Sequence, residues 1–531
     1  MDYGKSVFCC QNIEALTMKN SFTLLSLFFF VFTIQAQDPN ILWQRTVGGS
    51  DYDFLSEIIT TSDGGFAVGG YSRSNISGEK SENSRGEEDY WVLKFDSFGE
   101  IEWQRTFGGT ESDILGALKQ TADGGFMVGG TSFSGISGDK TDPSKGYSDF
   151  WILKLDASGN IEWQKTIGGN GADEITEIIQ TPDGGFFIGG SSSSDISGDR
   201  TEPNYVYTDA WILKLDSNGN ILWQKSHDFI ENLRLSTIIS TNDEGYLLGG
   251  YDYNPPVYYI MRINKDGFKF WERPFVADGF DILTNAIQTS DGGYVVIGFS
   301  DSNISGDKTE DSNGFDDYWI LKIDSVGNIE WQNTIGGNLS DGCYTVIETP
   351  DNGYFITGYS DSEISGDKTE NSLGSADYWI MKLNSVGIIE WQNTIGGSDG
   401  ERVPKAVKNI DDSFIIAGQS RSNISGDKTE NSRGGYDFWI IKHAQTLGLE
   451  ENPFYNAITL YPNPVKNTLQ LNTKDKTINQ INIYTITGSK VLQLEVNTVS
   501  PIVDVSSLAT GIYYVQLYSG KNVALKKFVK E

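Results

Sequence analysis

"LKLDSNGNILWQK" at 213–225 has close copies along most of the chain, among them "LKFDSFGEIEWQR" at 93–105 and "LKIDSVGNIEWQN" at 321–333. Each is a strand, a Gly-containing turn and a second strand bearing a Trp. The Trp after the turn falls at Trp43, Trp103, Trp163, Trp223, Trp271, Trp331 and Trp391, spaced by 60, 60, 60, 48, 60 and 60 residues. Before the turn stand Trp91, Trp151, Trp211, Tyr259, Trp319, Trp379 and Trp439, so all 13 Trp belong to the repeat. A fixed period of this kind marks stacked supersecondary units sharing one continuous core.

Each unit divides into four short strands. Over 115–167, "LGALKQT" ends at "ADGG", where Asp-Gly-Gly supplies the positive-φ positions of a tight hairpin. "FMVGGTS" is the second strand. "DFWILKLD" is the third, with Phe150, Ile152 and Lys154 on one face and Trp151, Leu153 and Leu155 on the other. "IEWQKT" is the fourth. Two apolar faces suit a sheet covered by a neighbour on each side, as in a β-propeller blade. The phase is the stronger argument. The chain after residue 37 opens on a fourth-type strand, Ile41–Thr46, and the repeat closes on "DFWIIKH", a third. Seven complete blades exist only if the N-terminal strand finishes the last one, which also removes the exposed edges of an open sheet. The expected fold is all-β, a seven-bladed propeller over 38–443.

Composition narrows the partners. The chain carries −32 overall. Residues 38–452 hold 30 Lys and Arg against 66 Asp and Glu, or −36, whereas 453–531 hold eight Lys against four acids. Nucleic acid is excluded, because phosphate binding needs a basic footprint. The sign change places a boundary near 450, with a linker expected over 444–456. "MKNSFTLLSLFFFVFTIQAQ" from Met18 has a Lys, an apolar run and a small residue, Ala36, after which cleavage is expected. Residues 1–36 thus read as an export signal, with Met18 a second candidate start. No later run is long and apolar enough for a membrane span. Cys9 and Cys10 precede the cleavage, which leaves Cys343 alone and no intrachain disulfide.

Asp216, Gly219 and Trp223 resemble the tryptophan-docking motif of pyrroloquinoline-quinone-type propeller repeats, as do Asp96, Gly99 and Trp103. The resemblance implies that each Trp wedges adjacent blades. The adjacent Cys pair of the quinone enzymes has no counterpart in the mature part. Thr61, Asp63 and Gly65 are similar to the Asp-box of sialidases, a structural turn, without its aromatic ending. From Leu460 the text changes. Tyr461-Pro462-Asn463-Pro464, Ile483-Tyr484…Gly488, Leu508…Gly511-Ile512-Tyr513 and Lys526-Lys527 resemble the type A sorting domain of the Bacteroidetes type IX secretion system. Thr485 departs from the family's usual Asp. Alternating apolar positions independently read 457–531 as a small Ig-like β-sandwich. The resemblance implies passage through the type IX machinery, removal of the domain, and release into the medium or attachment to surface lipopolysaccharide.

Catalytic residue types are sparse. With only His227 and His443 no H-E-x-x-H zinc site can form, and no Walker loop is present. His227 interrupts a repeat position, and Cys343 reads as a small core residue. No catalytic, cofactor or metal residue is assigned. Calcium is an alternative for the long loops between second and third strands, since "DSNISGDKTED" (301–311) echoes calcium-loop spacing. Against it, Asp301 becomes Arg73, Phe133, Ser193 and Arg421 in other copies. The six loops, with Asp139, Asp199, Asp307, Asp367 and Asp427, share one face with the blade-to-blade links. Blade four is 12 residues shorter, and "YDYNPPVYY" (251–259) replaces its loop. Tyr251, Tyr253, Tyr258 and Tyr259 are therefore the expected exposed ligand-binding residues. The expected function is non-enzymatic binding of a protein or glycan at the cell surface or in the medium. The competing reading is an extracellular glycosidase or lyase, which would need blade-specific carboxylates and aromatics at one pore mouth.

Overall fold

The computed structural model describes residues 40–205, 207–227, 233–253, 256–444, 458–474, 476–485, 490–519 and 522–531. All of them fall in the compact unit Gln37–Glu531. The export segment with Ala36, and the expected linker apart from Ala444, lie outside the described residues.

Every regular element among the described residues is a β-strand. Asp53–Thr60, Phe66–Ser72, Asp89–Phe95 and Ile101–Phe107 pair antiparallel as strands a to d of blade one. Blades two to six repeat that order from Asp113, Asp173, Leu233, Asp281 and Asp341. Blade seven takes a, b and c from Glu401–Lys408, Phe414–Ser420 and Asp437–His443, and its d strand from Ile41–Val47. The N-terminal strand does what the d strands of blades one, two, three, five and six do. Gln44 Oε1 accepts the Trp439 indole N–H at 3.0 Å and Gln44 Nε2 donates to the Asp427 carbonyl at 2.6 Å. Gln104 serves Trp91 and Glu79 in the same way. Blade one then meets blade seven in one buried cluster that includes Leu55, Ile58, Phe66 and Val68 with Ile415, Ala417, Phe438 and Ile440. The ring is a closed seven-bladed propeller.

Both Trp series act between blades. The strand-c Trp are fully buried and tilt onto a ring of the preceding blade: Trp91 on Phe438 at 5.2 Å, Trp151 on Tyr90 at 5.1 Å, Trp379 on Tyr318 at 5.1 Å. The strand-d Trp reach the other way, onto the turn Gly of the following blade. A Cβ on Gly219 would stand 2.8 Å from the Trp163 ring, and Gly219 has φ +78°. Gly is required there both by the left-handed backbone and by the ring. Gly219→Ala is expected to cost about 2 kcal/mol in urea unfolding. Gly135→Ala, whose Cβ meets nothing within 4 Å, is the neutral control. Equal stability of the two variants would end the wedge reading.

Residues 458–531 form a separate β-sandwich. One sheet holds Thr459–Tyr461, Thr468–Asn472 and Ile502–Asp504, and the other Lys490–Val499, Thr477–Thr485, Gly511–Ser519 and Asn522–Lys530. Leu469, Leu471, Ile481, Ile483, Val515, Leu517 and Phe528 are among the apolar residues fully buried between them. Asn463 Oδ1 accepts the Val529 N–H at 2.8 Å, which ties the Tyr-Pro-Asn-Pro segment to the last strand.

Candidate functional site

Most of the repeat is a frame of buried polar groups that bind one another. In blade one, Asp53 accepts the Gly49 N–H at 2.6 Å and the Ser74 hydroxyl at 3.2 Å. Lys80 donates to Thr106 at 2.8 Å and lies 5.0 Å from the Trp91 ring centre. Asp89 accepts the Arg85 N–H. All three are buried. Burial pushes both carboxyls up to about 6 against their hydrogen bonds, and pushes the Lys80 ammonium down to about 8 against its Asp neighbours. Blade four places Leu233 and Val257 at the two Asp positions and lacks the loop that carries the Lys. The set is lost as a whole, as expected when any member left alone would be an uncompensated buried charge.

The long loops are tied down by their own acids. Asp139, Asp199, Asp307, Asp367 and Asp427 accept the N–H of Gly108, Gly168, Val276, Gly336 and Gly396 at 2.9–3.2 Å. Asp301 accepts the Phe280 N–H. Among the described residues, no three Asp, Glu, His or Cys side chains converge on a point that could hold a metal. Each loop still presents one exposed aliphatic tip: Ile76, Ile136, Ile196, Ile304, Ile364 and Ile424, all 59–66% exposed.

The blades differ at the axis. A cavity of about 880 Å³ runs along it, lined by strand a of all seven blades. One equivalent position reads Glu57, Ala117, Glu177, Thr237, Asn285, Thr345 and Lys405 around the ring. Lys405 pairs with Glu57 at 3.0 Å, and Lys119 with Glu177 at 3.5 Å, each across a blade junction. Each Glu also accepts the N–H of the next residue, Ile58 at 3.1 Å and Ile178 at 2.9 Å. Burial raises the Glu177 carboxyl even beside Lys119, while Glu177 raises Lys119.

At the end of strand a nearest the long loops, the equivalent position reads Phe54, Ile114, Glu174, Arg234, Ile282, Gly342 and Arg402. The residue before it is acidic in six of the seven blades. Arg402 lies 4.4 Å from the Tyr359 ring centre and 3.1 Å from Asp361, and Tyr344 stacks on Tyr359 at 6.1 Å. Phe54 meets Tyr71, Tyr52 and Tyr436. This ring of differing residues was available in the sequence as a changing letter after a nearly fixed acid. It went unread because nothing in the period says that the position stands at the long-loop end of the propeller.

The expected tyrosine notch needs correction. Tyr258 and Tyr259 are 0% and 4% exposed. They hold the Tyr90 and Trp91 places in blade four, and Tyr258 tilts onto Trp319 at 4.6 Å as a wedge, so neither can meet a ligand. Tyr251 is half-buried on strand b opposite Arg234. Tyr253 pairs through its backbone with Pro256, and its side chain lies outside the described residues. His227 ends strand d of blade three with Nε2 3.0 Å from the Gly267 carbonyl. His443 is buried and stacks at 5.9 Å on Trp391. The Cys343 thiol is buried, donates to the Gly298 carbonyl and is pushed above its ordinary range by that burial. It is a core residue.

Residues 459–531 match the secretion system C-terminal sorting domain family. Regulatory protein FlaEY of Caulobacter vibrioides is 23% identical over 407 residues, 68% of this chain and 41% of the relative. An uncharacterised WD repeat-containing protein of Acanthamoeba polyphaga mimivirus is 20% identical over 494 residues, 76% of this chain and 34% of the relative. The chain thus spans well under half the length of both curated relatives. Among solved structures, hydrazine synthase of Kuenenia stuttgartiensis is similar at 10% identity and TM-score 0.42, covering 69% of this chain and 94% of that one. Puromycin hydrolase is similar at 11% identity and TM-score 0.43, covering 92% and 63%. No helix among the described residues is long and apolar enough to cross a membrane.

Proposed function

From the premise of a β-propeller exported behind a type IX secretion sorting domain, we propose that this protein binds an extracellular protein or glycan without transforming it. The site we assign is the axial mouth on the long-loop face. One observation carries the reading. A single asymmetric site on a symmetric scaffold needs residues that differ between blades, and Phe54, Ile114, Glu174, Arg234, Ile282, Gly342 and Arg402 differ where the framework around them repeats. Aromatic and Arg side chains are the types that dominate binding surfaces, and the six Ile tips extend that surface outward.

The enzymatic reading has its own support in Glu57 and Glu177, two carboxyls in the axial cavity with that of Glu177 raised. Each is paired with a Lys, which leaves no uncommitted acid and base. Incubating the exported protein with a panel of polysaccharides and following reducing ends decides between them. No release is expected, and Glu177→Gln is expected to behave as the parent. Release of sugar that Glu177→Gln abolishes would overturn the non-enzymatic reading.

A further inference from the structure

The junction where the ring closes, between blades seven and one, carries a cluster of four aromatic side chains. Tyr52 and Phe54 lie with ring centroids 5.7 Å apart and planes within 6° of each other. Tyr71 and Tyr436 stand 5.2 and 5.8 Å from Phe54. Tyr52 is 44% exposed and the other three are half-buried. Where Tyr52 stands, other links carry Ser112, Ala172, Phe280, Ser340 and Gly400, and where Tyr436 stands, other loops end in Glu88, Ser148, Thr208, Asp316 and Ala376.

Closure does not require these rings. The backbone bond that joins the blades here, from the Asp53 N–H to the Tyr436 carbonyl at 2.7 Å, forms equally from Asp113 to Glu88, Asp173 to Ser148, Asp341 to Asp316 and Glu401 to Ala376. The aromatics are an addition to a joint that holds without them.

Ion pairs bracket the rings on both sides. Arg421 lies 5.3 Å from the Tyr436 ring centre and pairs with Asp399 at 2.9 Å, both 47% exposed. Arg73, half exposed, pairs with Glu88. The Arg421–Asp399 pair offers fixed guanidinium donors next to a carboxylate acceptor with no net charge, an arrangement that vicinal hydroxyls can bridge. Arg73 adds a half-exposed guanidinium whose partner Glu88 is itself buried. Tyr52 is backed by the parallel ring of Phe54, and its exposed face suits the C–H face of a pyranose. The −36 carried by residues 38–452 opposes any anionic ligand.

The geometry points to a binding subsite for a neutral oligosaccharide at this junction, with Tyr52, backed by Phe54, as the stacking platform and Arg421–Asp399 with the Arg73 guanidinium as the hydroxyl-binding rim. This deepens the binding reading above and rests on it.

Isothermal titration of the full exported chain tests it, with cello-, laminari-, xylo-, manno- and chito-oligosaccharides as probes and oligogalacturonate as the anionic comparison. At least one neutral probe is expected to bind. Tyr52→Ala is expected to weaken it about tenfold or more, and Arg421→Gln to weaken it as well. Tyr147→Ala, an equally available aromatic at 74% exposure on another loop, should leave it unchanged. Melting curves of all variants are expected to superimpose, and Arg421→Gln serves as the deciding variant if Tyr52→Ala melts early. Saccharide binding that survives both variants overturns this subsite and leaves the wider binding function standing. Absence of binding by every neutral probe, or preference for oligogalacturonate, overturns the ligand class. Turnover of a probe overturns the non-enzymatic reading itself.

Discussion

A chain lacking Ile41–Val47 is expected to melt roughly 10 °C or more below the intact protein. The deletion strips blade seven of its outer strand and leaves Asp437–His443 as an open edge. Trp439 loses the Gln44 acceptor of its indole N–H, Gly99 loses the Trp43 ring that covers it, and Val47 leaves the cluster joining the first and last blades. Removing three large apolar side chains and one strand's hydrogen bonds costs on the order of 5–10 kcal/mol. The bared edge is also a template for strand addition, so the variant should associate at concentrations where the parent does not. Calorimetry together with gel filtration reads both effects. A melting temperature within a few degrees of the parent, with no association, would mean that this strand does not close the ring.

Stability is expected to peak near pH 4 and to fall as the pH rises toward neutrality. Burial, only partly offset by hydrogen bonds, raises Asp53, Asp89 and Asp341 to about 6 and Asp317 to about 7. In the unfolded chain these groups ionise near 3.8. Between that value and the folded one, the folded state holds protons that the unfolded state has released, so each rise in pH disfavours folding until the folded value is passed. The loss is on the order of 3 kcal/mol for each such carboxyl. The turn aspartates work in the opposite direction. Hydrogen bonds from Thr181 and Lys214 hold Asp183 at about 2, and Thr349 and Lys382, outweighing partial burial, do so for Asp351. Their contribution is present above 3.8 and disappears as the pH falls toward 2. A fall of roughly 10 °C or more in melting temperature is expected between about pH 4.5 and pH 8, and a second fall below about pH 3.5. A melting temperature that is flat or rising across the first interval would show that these carboxyls ionise freely in the fold.

Period, phase and turn chemistry were legible in the chain because they are local. A Trp after every Gly turn, an opening d strand and a closing c strand already required seven blades and a ring. Four short motifs at the C-terminus already pointed to the export route. The function-bearing positions were not legible in the same way. Tyr258 and Tyr259 looked like an exposed notch beside two prolines, and the structure buries them because blade four, having lost its loop, still needs a wedge against Trp319. The Lys of the long loops carries no mark of burial in the sequence around it, yet Lys80 is 1% exposed between two buried Asp. Conversely, Tyr52 and Tyr436 lie at opposite ends of the propeller sequence and meet only because the first blade packs against the last. Which residue of a strand faces the axis depends on how seven sheets tilt around a common centre. Pairwise periodicity carries no trace of that, because the contacts that define the axis join segments tens to hundreds of residues apart.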